Sequence, residues 1–214
     1  MKKVMLLAFF ILISISISAQ WNSIQSNLPQ WEAQGYAIDA YTNEYAVIAI
    51  GSDQASYGLY KTTDGGENWE TLNVPVGLSF IDVEIVNENV IIGCSAAPAQ
   101  IWKSIDGGNN WALSYDASST TNFLNYIEMF DDISGVAMGD ALTVSDAMMI
   151  YKTINGGETW ESITTNLVGS ISSYDWRAID FIDINTGYYY DGISRKLYKT
   201  TNSGNLWNVI KDFA

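Results

Sequence analysis

Residues 60–69, YKTTDGGENW, are the most informative part of the sequence for the fold, because close copies of them recur three times along the chain. The copies are WKSIDGGNNW at residues 102–111, YKTINGGETW at 151–160 and YKTTNSGNLW at 198–207. We call each copy a box. The tryptophans that end successive boxes lie between 42 and 49 residues apart. A period of this size indicates a repeat architecture in which each repeat is one supersecondary unit.

Two short apolar runs precede each box, and a turn rich in Asn and Asp separates them. The first runs are IDAY, VEIV, IEMF and IDFI, and the second runs are YAVIAIG, VIIGC, GVAMG and GYYYDG. This composition predicts strands and turns, and no segment after the first 20 residues has a helical period. Each repeat therefore contains an inner strand, a second strand, a third strand that leads into the box, and an outer strand that starts at the tryptophan.

Four antiparallel strands in about 40–50 residues is the period of a β-propeller blade. The sequence therefore predicts an all-β fold, a β-propeller with about four four-stranded blades in residues 20–214. The pattern Ser/Thr-x-Asp-x-Gly-x-x-Trp resembles the Asp-box, or BNR repeat. That resemblance implies a propeller of the kind found in sialidases, xyloglucan-active hydrolases, sortilin-type receptors and photosystem II assembly-factor-like proteins. It does not select one function among them.

The box itself is interpreted as structural. A short Asp or Asn side chain accepts hydrogen bonds from turn N–H groups, glycine adopts backbone angles that other residues avoid, and the tryptophan buries a large apolar surface. Two boxes carry Asn where the others carry Asp, and an amide cannot act as a general base or nucleophile. The predicted structural residues are Asp64, Trp69, Asp106, Trp111, Asn155, Trp160, Asn202 and Trp207. Trp69→Ala is expected to lower stability by about 3–5 kcal/mol.

The first 19 residues have the layout of a secretory signal peptide. Lys2 and Lys3 precede an apolar run at residues 4–13, and SISISA at residues 14–19 ends on a small residue. The sequence predicts cleavage after Ala19 and a secreted, periplasmic or cell-surface protein. An uncleaved anchor is the alternative, but the apolar run is shorter than the roughly 20 residues that a span needs.

Composition excludes several classes of function. Without Lys2 and Lys3 the chain keeps 24 acidic residues and a net charge of −16, which disfavours nucleic acid and anionic membranes as partners. There is no histidine, and Cys94 is the single cysteine, expected to be buried. No cofactor or metal site is predicted. The box lysines are expected to pair with nearby acids; they are Lys61, Lys103, Lys152 and Lys199.

Each predicted inner strand carries one acid at the same repeat position. These candidate channel acids are Asp39, Glu84, Glu128 and Asp180. If the inner strands line a channel, the carboxylates converge and either raise one another's pKa or recruit a cation. The simpler alternative is that they are solvated channel residues.

A second candidate site is aromatic. Its members are Tyr174, Trp176, Arg177, Tyr188, Tyr189 and Tyr190. Aromatic faces next to acids suit a sugar or peptide groove, whereas tyrosines within a strand also pack well between blades.

The leading functional hypothesis is a secreted, non-catalytic propeller that binds a protein or a carbohydrate as a scaffold. The sialidase family holds its substrate carboxylate with three arginines, and this chain has only Arg177 and Arg195. The alternative is a glycoside hydrolase of the xyloglucan-active type that uses two of the channel acids. Four blades are few for a closed propeller, and WNSI at residues 21–24 resembles an outer strand without partners. We therefore expect an incomplete or open propeller, either part of a longer protein or an arc that self-associates through its blade edges.

Overall fold

The chain forms four consecutive antiparallel sheets in a computed structural model that describes residues 34–51, 58–143, 145–168 and 178–214. Every sheet has four strands that pair in sequence order. No helix occurs in these ranges, which confirms the predicted all-β propeller architecture. The predicted signal peptide and the WNSI segment lie outside the described residues.

The strands fall where the repeat predicts them. Blade 1 contains β1 (Gln34–Ala40), β2 (Ala46–Gly51), β3 (Gly58–Thr62) and β4 (Glu70–Thr71). Blade 2 contains β5 (Phe80–Ile85), β6 (Ile91–Ser95), β7 (Gln100–Ser104) and β8 (Ala112–Asp116). Blade 3 contains β9 (Leu124–Met129), β10 (Gly135–Gly139), β11 (Ala147–Thr153) and β12 (Glu161–Val168). Blade 4 contains β13 (Ile179–Phe181), β14 (Gly187–Asp191), β15 (Lys196–Thr200) and β16 (Trp207–Asp212).

Two ends of the blades differ in what they carry. At one end, the box face, the box packs on the turn between the first two strands of its own blade. The N–H of Gly65 donates to the carbonyl of Glu44 at 3.0 Å, and that of Ser203 donates to Asn185 at 2.9 Å. The opposite end, the loop face, carries the described loops between second and third strands and the described connections between blades. Loops of unequal length on such a scaffold are common places for binding.

The hydrophobic core lies between the blades. Blades 1 and 2 enclose a cluster that includes Val47, Leu59 and Val83, while blades 2 and 3 enclose one around Ile92 and Ile127. A third cluster, between blades 3 and 4, includes Met138, Ile150, Ile179, Phe181 and Trp207. Both faces of an internal blade are therefore buried, which explains why β6 and β10 are buried along their whole length. Cys94 lies in the second cluster and is buried.

None of the described residues forms a helix that is both long and apolar enough to cross a membrane.

Candidate functional site

All four boxes share one hydrogen-bond arrangement. In the first, the Thr62 hydroxyl donates to Asp64 at 2.8 Å and accepts from the N–H of Gly66 at 2.9 Å, and Asp64 also accepts from the N–H of Asn68 at 2.8 Å. Hydrogen bonds, first among them that from the N–H of Asn68, lower the pKa of Asp64, so its carboxylate stays charged. An ionised acceptor held this way closes a turn and has no proton to donate.

The two boxes with asparagine keep the same geometry. The amide oxygen of Asn155 accepts from the N–H of Thr159 at 3.0 Å, and that of Asn202 accepts from Leu206 at 3.0 Å. Because a carboxylate and an amide oxygen make equivalent bonds here, the described contacts give the box acids a role in closing the turn.

The box tryptophans pack towards the preceding blade. Trp207 lies 2 % exposed in the core between blades 3 and 4, and Trp160 is buried between blades 2 and 3. Trp69 belongs to the first described blade and is only half-buried, outside the three cores. The loss of stability of about 3–5 kcal/mol that the sequence predicts for Trp69→Ala is therefore expected for Trp207→Ala instead. The stability lost on truncation scales with the contacts removed.

Box lysines reach from one blade to the next box. Lys61 donates to the carbonyl of Gly107 at 3.1 Å and also contacts Glu70 at 2.7 Å. Lys103 contacts Glu158 of the following blade at 2.5 Å. Lys61 and Lys103 therefore pair with acids, as predicted, and in addition link neighbouring blades. The Lys199 ammonium instead lies 5.2 Å from the ring centre of Tyr188.

The inner-strand acids make a second link between blades. The N–H of Ile85 donates to Asp39 of the preceding inner strand at 2.6 Å. In the same register, the N–H of Met129 donates to Glu84 and that of Phe181 donates to Glu128. Inner strands of adjacent blades do not pair with each other, so their edge N–H groups need acceptors. The acids supply those acceptors, a structural role that the sequence did not reveal.

Two further side chains contribute to this link and were missed by sequence reasoning. Asp82 lies two residues before Glu84 and accepts from the N–H of Ile127 at 3.0 Å. Tyr126 occupies the equivalent place in blade 3, where its hydroxyl donates to Glu128 and accepts from the N–H of Phe181 at 3.3 Å. Asp82 and Tyr126 occupy the same repeat position, which could have identified them. Because one is an acid and the other a tyrosine, the sequence shows no common residue type there.

The inner-strand acids are close enough to perturb one another. Burial first, and then the charges of Asp39, Asp82 and Glu128, raises the pKa of Glu84 to about 9. Burial and the charge of Asp180 raise the pKa of Glu128 to about 7. The carboxylates of adjacent inner strands are thus close enough to raise the pKa values of Glu84 and Glu128. Within the described ranges, however, no group of three or more His, Cys, Asp or Glu side chains is arranged to hold a metal ion.

The predicted aromatic site divides into parts. Tyr174, Trp176 and Arg177 lie outside the described residues. Tyr189 is 3 % exposed within the core, so it cannot meet a ligand. Tyr188 is half-buried beneath the ammonium group of Lys199, which lies 5.2 Å from its ring centre, and Tyr190 is exposed.

Tyr190 instead belongs to a group of side chains at the loop-face end of blade 4. Its ring meets that of Phe213 edge to face, with centroids 6.1 Å apart, and the Lys211 ammonium lies 5.8 Å from the Phe213 ring centre. Arg195 is exposed in the adjoining loop, and Lys196 lies 4.0 Å from Asp212. We call this group the blade-4 patch; its members are Tyr190, Arg195, Lys196, Lys211 and Phe213.

The blade-4 patch holds the positively charged side chains of the described chain that are not part of the boxes. Apart from the four box lysines, the described residues contain three cations, and all three belong to this patch. Lys211 and Phe213 were not predicted as site residues because they follow the last box and have no counterpart in the other blades.

Comparison with solved structures supports the fold. The chain superposes on an ancestral GH74 enzyme with a TM-score of 0.63 and 23% identity, over 85% of this chain and 24% of that one. It superposes on YCF48 from Cyanidioschyzon merolae with a TM-score of 0.60 and 16% identity, over 83% of this chain and 56% of that one. For the GH74 xyloglucanase from Xanthomonas campestris the values are 0.54 and 14%, over 77% and 27%.

These similarities show a shared β-propeller fold alone, because every identity is below 25%. The chain spans about a quarter of the ancestral GH74 enzyme and just over half of YCF48. A scan against protein-family models and a search of curated proteins found no match.

Proposed function

We propose that this chain is an exported, non-catalytic β-propeller that binds a segment of another protein at the blade-4 patch. The observation that carries the proposal is the concentration of Arg195, Lys196 and Lys211 beside two exposed aromatic rings, on a chain that is otherwise strongly acidic. A cation beside an aromatic face suits a carboxylate next to an apolar or aromatic side chain. A peptide that ends in such a residue presents both groups together.

The hydrogen bonds of the inner-strand acids support the non-catalytic part of the proposal. Asp39 accepts from two main-chain N–H groups, those of Ala40 and Ile85, at 2.8 and 2.6 Å. Glu128 accepts from Tyr126 and from the next inner strand. A carboxylate that holds two blades together is poorly placed to move during a reaction, since its displacement would leave buried donors unpaired.

Binding can be tested with short fluorescein-labelled peptides made in matched pairs. Each pair has one sequence that ends in phenylalanine or leucine, with either a free carboxylate or an amide at its end. Fluorescence polarisation should show tighter binding of the free carboxylate. Lys211→Ala should weaken that binding about tenfold, about 1.4 kcal/mol, because a charge-assisted contact is lost.

Lys152→Ala is the matched control, because it removes a cation from a box strand of blade 3, away from the patch. Equal binding of the carboxylate and amide peptides, or equal loss in the two variants, would overturn the peptide site. The export proposal has its own test. Amino-terminal sequencing of protein recovered outside the cytoplasm should start at Gln20.

Glycoside hydrolysis is the second candidate, and one observation favours it. A general acid in such enzymes needs a raised pKa, and Glu84 and Glu128 on adjacent inner strands both have one. Incubation with xyloglucan and analysis of released oligosaccharides tests this function. Release that is present in the unaltered protein and absent in Glu128→Gln would establish hydrolysis and refute the non-catalytic proposal.

A further inference from the structure

The two outermost faces of the four described blades are the faces that an additional blade would cover. One is the trailing face of blade 1, formed by Ile38, Ile48 and Tyr60. The other is the leading face of blade 4, formed by Tyr188, Tyr190, Leu197 and Ile210. Tyr190 also belongs to the blade-4 patch, so a second copy on this face and a peptide at the patch compete for its ring. In the three internal junctions, the residues at these same repeat positions form the hydrophobic clusters between blades.

Repeat-matched positions show how far the trailing face is uncovered. Ile38 occupies the position of Val83, Ile127 and Ile179 in the later blades. Those three side chains are 1 %, 1 % and 5 % exposed, whereas Ile38 is 66 % exposed. Ile38 is more exposed because no described blade precedes blade 1, whereas a preceding blade covers Val83, Ile127 and Ile179.

The leading face of blade 4 shows the same contrast. The outer strand β12 of blade 3 alternates between exposed and buried residues, with Ile163 buried against blade 4. In β16 every residue after Trp207 is exposed, and Ile210, which matches Ile163, is 49 % exposed. Both faces thus expose apolar side chains at repeat positions that are buried in the internal junctions.

Charges on the two faces are complementary. At the junction of blades 2 and 3, Lys103 contacts Glu158 of the following box at 2.5 Å. The repeat equivalents at the ends of the chain are Lys199 on blade 4 and Glu67 in the first box, which is exposed. A blade 1 placed after blade 4 would therefore re-create the lysine–glutamate contact along with the apolar one.

We propose that two copies of this chain associate head to tail, with blade 4 of each copy against blade 1 of the other, and close an eight-bladed ring. The closed dimer has two-fold symmetry: each junction joins two different surfaces, and the symmetry makes the same junction twice, once from each copy. Eight blades lie at the upper end of the usual range of four to eight. Two four-bladed arcs then leave neither of these apolar faces exposed to solvent, which removes an aggregation hazard.

Oligomeric state tests the proposal directly. Sedimentation velocity between about 1 and about 100 µM should show a concentration-dependent species of two chains and nothing larger. Ile38→Asp should give a monomer, because it places a charge in the apolar junction. Ile154→Asp is the matched control: this side chain is 68 % exposed in the box of blade 3, away from both faces, and its variant should remain dimeric.

A charge exchange tests which surfaces meet. Lys199→Glu and Glu67→Lys should each weaken the dimer at least about tenfold, because like charges then face each other at both junctions. Mixing the two variants should restore it, since one junction becomes a reversed pair and the other keeps the original pair. Asp146→Lys, an equal change of charge in an exposed loop of blade 3, should have no effect.

Three results would overturn the proposal. A monomer at every concentration would mean that another segment or a further blade covers these faces. A ladder of trimers and larger species would mean that the contact does not close. A dimer that survives Ile38→Asp, or that is not restored by mixing, would mean that other surfaces associate.

Discussion

Replacing Glu84 by glutamine should stabilise the protein at neutral pH and have little effect in acid. The carboxyl group of Glu84 lies between blades 2 and 3 and accepts from the main-chain N–H of Met129, which partly offsets the effects that raise its pKa. Burial is the largest of those effects, followed by the charges of Asp39, Asp82 and Glu128, and together they raise the pKa from 4.5 to about 9. The folded protein therefore keeps a proton that the unfolded chain releases.

The size of the effect follows from proton linkage. A group whose pKa is higher in the folded state makes folding less favourable as the pH rises from its unfolded pKa to its folded pKa. For Glu84 this window runs from 4.5 to about 9. At pH 7 the solution is 2.5 pH units above 4.5, and at about 1.4 kcal/mol per unit the wild-type chain has lost about 3–4 kcal/mol of stability through this group.

Glutamine keeps the shape of the protonated carboxyl and does not titrate. The melting temperature of Glu84→Gln should therefore match that of the wild type near pH 4.5 and exceed it by roughly 5–10 °C at pH 7. Circular dichroism melts at several values between pH 4.5 and pH 8 measure the difference. Glu161→Gln, an exposed change on β12, is the control and should give parallel curves. A difference in melting temperature between Glu84→Gln and wild type that does not grow with pH would mean that the pKa of Glu84 is not raised in the folded protein.

Three further predictions concern the boxes, and thermal melts check each of them. Trp207→Ala should lower stability by about 3–5 kcal/mol and Trp69→Ala by clearly less, because only the former lies in an inter-blade core; equal losses would contradict this packing. Gly204→Ala should destabilise more than Gly77→Ala: both have positive φ, but a Cβ at 204 would lie 2.7 Å from an isoleucine side chain of blade 3, while at 77 it meets nothing within 4 Å. Asn155→Asp should change stability by less than about 0.5 kcal/mol, whereas Asn155→Ala should lose about 1 kcal/mol with the turn hydrogen bonds.

The blade architecture could be predicted from sequence because its signals are local. Each box combines a turn, a glycine and a tryptophan within ten residues, and each strand is a short run bounded by turn residues. Repetition adds register, since four aligned copies place the inner, second, third and outer strands without any knowledge of contacts. The exact ends are less well determined: only β16 begins at its tryptophan, and the other outer strands begin one residue later.

Contacts between blades could not be predicted in the same way, because they depend on residues about 45 positions apart. The bond from Ile85 to Asp39 and that from Ile127 to Asp82 both cross a junction. The same junctions decide that Tyr189 is buried although its neighbour Tyr190 is exposed. Alternation along a strand predicts that they face opposite ways, but not which side is covered.

Repetition also separates structural residues from candidate functional ones. Each of the three internal junctions contains one acid at this repeat position: Asp39, Glu84 or Glu128. Each of these acids accepts the equivalent main-chain hydrogen bond, so a structural role in the junction explains its presence. Lys211 and Phe213 have no equivalent in another blade, and no junction among the described blades requires them. A partner that binds at one place on a repeated scaffold must be recognised by residues that are not repeated. For this reason the blade-4 patch, rather than the more conspicuous row of acids, is where binding should be measured first.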